Sequence, residues 1–421
     1  MWLCVVAGLL GGIDAAWLLA TGVSLLLGLW GAWRNAGLPR IALIGFGGSA
    51  TAMFALSGEW GAAAAALRNA SVLIVFLACL YLLRALVEGA PQLPRVQAGF
   101  GEQPFVRRRG AVQLLAWVFA LPLAVGATSV VVALVRSEAD PARRLDLAGW
   151  AMRGVFLTVL YSPFTIAMAV VTSVLSGVDL VALIATGFVF SALLLVSAHA
   201  AGQCRLPRGV APDFWPAAAA VIAPVLGLVA VNTSIILLSP FSPAQAGSLV
   251  IPAFVALAAL YLGRARAEGM LRSTREGLTR YDGEVAVFLS ALLFAGAVAE
   301  APAVAALLRE PLQGLGPSVL IVATGAGIVL CTFVGLHMVV STSVLLGLFA
   351  PAMPDAVHVT ALGLAALTGW GLGAMCGIGS VSFLTCARLF DVPARGLALG
   401  RNLRFILVTL ALSGGVTLIL L

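Results

Sequence analysis

Small hydroxyl side chains collect where long apolar runs of this chain are interrupted: Thr128 and Ser129, Ser162 and Thr165, Ser341 with Thr342 and Ser343, and Ser380 with Ser382. Oxygen ligands of this kind, with backbone carbonyls freed at a helix break, suit Na⁺. The free N–H groups and positive dipole end of a half-helix suit an anion. Any one of these residues serves packing as readily as binding, because Ser, Thr and Gly let helices approach closely in lipid. The same cluster recurring in both halves favours one shared polar site. His337 stands at one interruption and is the only one of the three histidines deep in an apolar run. It reads either as a proton-coupling or solute-contacting group, since imidazole titrates near neutrality, or as a neutral ring bonded to a carbonyl.

Other polar residues read more simply. Arg153 and Arg388 fall at the ends of two broken apolar segments. An ionised group there is costly and often functional, although a guanidinium also snorkels to the headgroups, the reading favoured for Arg388. Asn232 and Thr233 are mid-run and either line a cavity or bond a neighbouring helix; Glu59, Asp179 and Glu300 read as boundary residues, His358 beside Asp355 as a loop residue, and His199 as interfacial. Six cysteines are scattered without a CxxC pair, the pattern of small buried hydrophobes rather than disulfides or metal ligands. No metal-ligand spacing, Walker sequence or nucleophile elbow occurs, so neither an enzyme nor an ATP-driven pump is expected, and no resident cofactor.

The elements that must position these groups are membrane helices. The chain is 62% hydrophobic and 10% charged, with a mean hydropathy of +1.10, whereas a soluble domain needs about a quarter of its residues charged. Its net charge of +7 comes from arginines in short loops, as the positive-inside rule gives, not from a nucleic-acid surface. Residues 1–15 read as a short extra N-terminal helix rather than a signal peptide. Runs near the ~20 residues needed to cross a bilayer place spans at 16–32, 41–57, 69–88, 111–136, 147–175 and 179–201, then at 213–237, 248–264, 285–308, 317–351, 357–390 and 403–421.

Four of these spans are interrupted. Gly335 to His337 divides 317–351, which is too long for one crossing and reads as a re-entrant hairpin; Pro122 and the stretch Gly126 to Ser129 divide 111–136, read the same way. Tyr161 to Thr165 breaks 147–175, and Cys376 to Ser380 breaks 357–390. Residues 153–165 and 368–380 align without gaps and share a glycine. If each hairpin returns to its own side, each half crosses an odd number of times, and the second half must be inverted. The arginines agree: Arg34, Arg84, Arg109 and Arg144 in the first half and Arg205, Arg266, Arg395 and Arg401 in the second share one face, with Arg68 and Arg309 as exceptions. That face is cytoplasmic. The expected fold is an all-α polytopic protein of the bacterial inner membrane, with about 10–12 transmembrane helices in two inverted repeats, 16–204 and 205–421, each with a re-entrant hairpin and an interrupted helix.

At the stretch 335–343 (Gly-Leu-His-Met-Val-Val-Ser-Thr-Ser), at the break 377–380 (Gly-Ile-Gly-Ser) and at their first-half counterparts, the sequence resembles the ion transporter superfamily. That superfamily includes the divalent-anion/sodium symporters and the large membrane subunit of TRAP transporters. The resemblance is architectural and covers the chain from about residue 16. It implies a secondary transporter in which hairpin tips and helix breaks bind solute and ion and one bundle moves as an elevator against a dimerising scaffold. The positions it implies are Thr128, Ser129, Ser162, Pro163, Thr165, Ser341, Thr342, Gly377, Gly379 and Ser380, to which His337 and Ser343 are added from the reading above; Thr128, Ser129, Ser162, Ser341 and Ser380 would hold the ion. The Ser-Asn-Thr tips of the symporters are absent, replaced by Ala127-Thr128-Ser129 and Ser341-Thr342-Ser343. The expectation is an ion-coupled permease for a small anionic organic solute, with Na⁺ or H⁺ as coupling ion. A membrane subunit that needs a periplasmic binding protein and a small membrane partner is the second reading, and a non-transporting protein that handles lipid-linked substrates the third.

Overall fold

The computed structural model describes residues 1–421 except 36, 99–102, 124–125, 133–134, 136–137, 176, 280, 301–313 and 378–379. Among the described residues every regular element is helical. The first half comprises α1 (Trp2–Gly11), α2 (Asp14–Arg34), α3 (Pro39–Ser57, with a π-turn at Leu43–Gly47), α4 (Trp60–Glu88), α5 (Leu93–Ala98), α6 (Phe105–Leu123), α7 (Ala127–Val131), α8 (Pro141–Val159), α9 (Ile166–Val174) and α10 (Leu180–Ala200). The second comprises α11 (Phe214–Leu238), α12 (Pro243–Leu262), α13 (Arg264–Leu278), α14 (Asp282–Glu300), α15 (Pro317–Phe333), α16 (Met338–Phe349), α17 (Ala356–Gly373), α18 (Val381–Leu389), α19 (Ala394–Leu399) and α20 (Arg401–Leu420).

Among the described residues eight helices, counting Ala394–Leu420 as one, are long and apolar enough to cross a membrane, as a multi-pass membrane protein requires. Against an expectation of about 10–12, the interrupted segments appear as pairs of helices of which only α17 is long and apolar enough by itself, and α14 qualifies only as a bent pair with α13. The nine residues of α9 or of α18 reach only about 14 Å at ~1.5 Å per residue, under half of the ~30 Å hydrocarbon core. In 111–136, Pro122 lies within α6, and Ala127, Thr128 and Ser129 belong to α7. Two further differences concern charged residues. The span placed at 69–88 begins at Trp60, because an alanine-rich helix former carries the chain through Arg68, whose guanidinium pairs with Asp14 at 3.5 Å. The loop expected between 264 and 285 contains α13, which buries Met270 and Thr274 and exposes Arg264, Arg266, Arg272 and Arg275.

The two halves make matching contacts. α6 packs on α8 and α15 on α17; α6 also meets α7 as α15 meets α16. Across the halves, α9 packs on α16 and α18 on α7, while α8 and α17 meet each other. The shared glycine of the aligned segments sits at the closest of these contacts. A Cβ on Gly154 would stand 2.4 Å from the Gln113 carbonyl oxygen, and one on Gly369 would stand 2.6 Å from the Gly325 carbonyl oxygen. Glycine is required at both because each helix backbone lies against its neighbour. Around this inner group, α14 packs on α2, α3 and α4 and reaches the inner group through α16.

Candidate functional site

Three helices begin around one space. Thr165 ends the break after α8 and caps α9, its Oγ1 accepting a hydrogen bond from the Met168 N–H at 3.2 Å. Ser380 caps α18 in the same manner, accepting from Phe383 N–H at 3.3 Å. These two caps hold equivalent places in the ungapped alignment of 153–165 with 368–380. His337 caps α16, with Nδ1 accepting from Val339 N–H at 3.3 Å. All three line a cavity of about 130 Å³, together with first-turn residues Ile166, Ala167, Met338 and Ser382 of the helices they cap. A cap satisfies one of the N–H groups that a helix start leaves without an intrahelical partner. The first-turn residues that carry the others border the cavity.

The opposite wall carries an acid. Glu284 and Phe288 of α14 line the same cavity, as do Thr158 of α8 and Trp370 of α17. Glu284 is half-buried, and the Tyr81 hydroxyl of α4 lies 3.5 Å from both of its carboxylate oxygens. Tyr81 is held edge-on to Tyr281 at a ring separation of 6.0 Å, and the Tyr281 hydroxyl donates to the Ile74 carbonyl. The His337 ring meets Phe288 at 6.0 Å. Because its Nδ1 accepts from an amide, the ring proton sits on Nε2, so the neutral imidazole is fixed by its own helix and not by a carbonyl.

Of the residues expected to bind, the structure brings Thr165, His337 and Ser380 to this cavity. The others lie elsewhere. Ser129 donates to Gly126 O at 2.6 Å and to Glu88 Oε1 at 3.2 Å, beside the Arg84–Glu88 ion pair; Thr128 is buried on the same short helix. Ser162 ties the break to α6, donating to Leu121 O at 3.5 Å and accepting from Phe164 N–H at 3.3 Å, with Pro163 buried next to it. Ser341 bonds back to Met338 O at 3.2 Å. Thr342 and Ser343 are fully buried in α16, and neither hydroxyl has a partner among the described residues. Gly377 is a packing residue, since a Cβ there would lie 2.4 Å from Thr332 Cγ2. Gly379 lies outside the described residues. Of the expected ion ligands only Ser380 reaches the cavity.

Arg153 is corrected in place and setting. It lies two turns inside α8 rather than at its end, is 6% exposed, and is stacked between Trp150 and Phe405 at 4.5 and 4.8 Å. A guanidinium held between two aromatic faces is fixed where it stands rather than free to snorkel along the helix. Arg388, by contrast, is exposed in the last turn of α18. Asn232 is fully buried, and its side-chain amide has no partner among the described residues.

Sequence reasoning missed Glu284, Tyr81, Thr158 and Trp370. A signal for Glu284 existed: it opens an apolar run with no other charge until Glu300, and Phe288 follows one turn later. Neither a known protein-family model nor a curated protein sequence matches the chain.

Proposed function

We propose that this chain is an inner-membrane permease that carries a small organic anion together with protons. The observation that supports this most is the set of three capped helix starts, at Thr165, His337 and Ser380, that open on one cavity also holding Glu284. Each helix start contributes roughly half a positive charge, so three give about +1.5 against −1 from an ionised Glu284. Ionised, the acid offsets about two-thirds of the attraction for a second anion; protonated, it leaves the full attraction for a solute. Proton and anion binding therefore favour each other, which is the thermodynamic requirement for symport. A cavity of about 130 Å³, well below the ~300–1,000 Å³ of drug-sized sites, suits a solute of a few heavy atoms.

In this reading α6–α9 and α15–α18 are the inner parts of the two inverted repeats, 16–204 and 205–421, and α6–α7 and α15–α16 are their re-entrant hairpins. The reciprocal contacts α9 to α16 and α18 to α7 support it. The bundle they form slides as an elevator along the frame of α2, α3, α4 and α14, with the cavity at the seam. The Arg-rich ends face the cytoplasm.

The test is melting of the purified chain against a panel of mono- and dicarboxylates at pH 5.5 and 7.5, with and without Na⁺, followed by uptake into proteoliposomes of whichever anion stabilises it. A ligand that binds only the folded state raises stability with its occupancy. One anion should stabilise the protein more at pH 5.5, and an inward proton gradient should drive its uptake. Glu284→Gln should bind that anion equally at both pH values and lose the gradient dependence. Stabilisation that needs Na⁺ and ignores pH would move the coupling to sodium, and no response to any carboxylate would overturn the permease reading.

A further inference from the structure

A second pocket, of about 350 Å³, opens on the Arg-rich face between α6, α8, α19 and the start of α20. Its lining holds Arg109, Arg143, Arg153 and Arg401 against a single acid, Asp146. That acid is shared: Arg109 and Arg401 both pair with it, Arg401 at 2.8 Å. Arg143 has Asp140 at 3.6 Å outside the pocket. Arg153 has no carboxylate within ion-pair distance among the described residues; one of its NH₂ groups donates to Arg401 O at 3.2 Å, and its buried Nε has no partner.

Two more features aim donors at the same space. Asn402 is 2% exposed, and neither its amide nitrogen nor its amide oxygen has a partner among the described residues. Gly149 makes room for it, since a Cβ there would stand 2.9 Å from Asn402 Oδ1. Gly400, Arg401 and Asn402 begin the 20-residue α20, and no side chain caps that start. A buried amide without a partner and a buried guanidinium with no carboxylate in ion-pair contact are both costly, so the arrangement is one that a bound anion completes.

The structure assigns to this pocket a phosphate group, bound by Arg153, Asn402 and the α20 N-terminus, with Arg109, Arg143 and Arg401 at the rim. A tetrahedral phosphate, dianionic as a monoester and monoanionic as a diester, has acceptors enough for guanidinium, amide and helix N–H donors at once, and a helix start is a ready phosphate site. Phe105 lies under Arg109 and Arg143, at 4.7 and 5.3 Å from their guanidinium carbons, and with Leu145 and Leu397 forms an apolar wall. The ligand is therefore an organic phosphate, either a soluble phosphomonoester or the headgroup of an anionic phospholipid. The assignment is independent of what the central cavity carries.

The test uses the full chain. Melting is followed in detergent with inorganic phosphate or glycerol phosphate against chloride at equal ionic strength, and in nanodiscs of phosphatidylglycerol against phosphatidylcholine. A saturable rise with the soluble phosphates identifies a soluble ligand; a rise confined to phosphatidylglycerol identifies a lipid headgroup. Asn402→Asp keeps the side-chain shape, sets a carboxylate near Arg153, and should raise melting without ligand while abolishing the ligand-dependent rise. Arg401→Gln, which leaves Asp146 paired with Arg109, should weaken binding several-fold, beyond whatever melting the free protein loses with the broken pair. The assignment is overturned if neither phosphate source shifts the wild type, or if Asn402→Asp retains the full shift.

Discussion

Alanine at Gly154 and at Gly369 is the sharpest test of how the inner group is built. A Cβ at residue 154 meets not only Gln113 O at 2.4 Å but also Ala116 Cβ at 2.6 Å and Trp117 N at 2.9 Å; one at residue 369 meets Gly325 O at 2.6 Å and Gly325 Cα at 3.0 Å. Ordinary van der Waals contact begins near 3.4 Å, so α6 and α8, or α15 and α17, must separate by about an ångström along their shared face. The obstructing atoms are mostly backbone, so no rotamer change relieves them. Overpacking of this kind costs about 1–3 kcal/mol, occasionally more. Gly227 and Gly415 supply the control, because an added Cβ there meets nothing within 4 Å; alanine in an open helix interior stabilises by roughly 0.5–1 kcal/mol. Unfolding by SDS titration in mixed micelles measures all four. The expected order places Gly154→Ala and Gly369→Ala below the wild type and the two controls at or above it. If the paired variants unfold with the controls, the helix contacts are looser than described and the argument from the shared glycine fails.

Three further outcomes follow from single interactions. Thr165→Ala and Ser380→Ala should each cost about 0.5–2 kcal/mol as lost N-caps, while Thr165→Ser restores most of it; equal loss in Thr165→Ser would mean that the methyl group and not the cap matters. Ser191→Ala leaves the Trp117 indole N–H, which lies 3.1 Å from Ser191 Oγ, without its partner between α6 and α10, and should cost about 1 kcal/mol in the same titration. Asp355 caps α17, and its hydrogen bonds with the His358 side chain and backbone N–H hold its carboxyl below the ordinary value. Its contribution is therefore full above the ordinary carboxylate range and is lost as pH falls through the lowered value. The melting difference between wild type and Asp355→Ala should shrink as pH falls below about 4; a difference that stays level or grows down to about pH 2 would refute it.

The interruptions were legible because the residues that stop a helix are local. Gly335 to His337 and Tyr161 to Thr165 separate helices where the sequence places breaks, and Ser380 starts α18 with its own side chain. What was not legible depends on partners distant in sequence. Nothing near Ser129 indicates that its hydroxyl meets Glu88 rather than the cavity, and nothing near Glu284 announces Tyr81 across the seam. α13 was missed because its apolar face is only a few residues wide, and a search for long apolar runs passes over it. Arg153 was misplaced for a related reason: stacking on Trp150 is local, but Phe405 arrives from the far end of the chain.

The crossed pairing of α9 with α16 and of α18 with α7 also sets a schedule for synthesis. α9 ends at Val174 and α16 begins at Met338, so at about 5–20 residues per second roughly ten to thirty seconds pass between the appearance of the first broken helix and that of the element that covers it. During that interval the helix start at Thr165 has no counterpart, and of its main packing partners the half-length α9 has only α4, too little to shield it from lipid. The first half must therefore wait at the translocon or under an insertase until the second half arrives, and a chain cut between the halves should be recovered only when both pieces are made together.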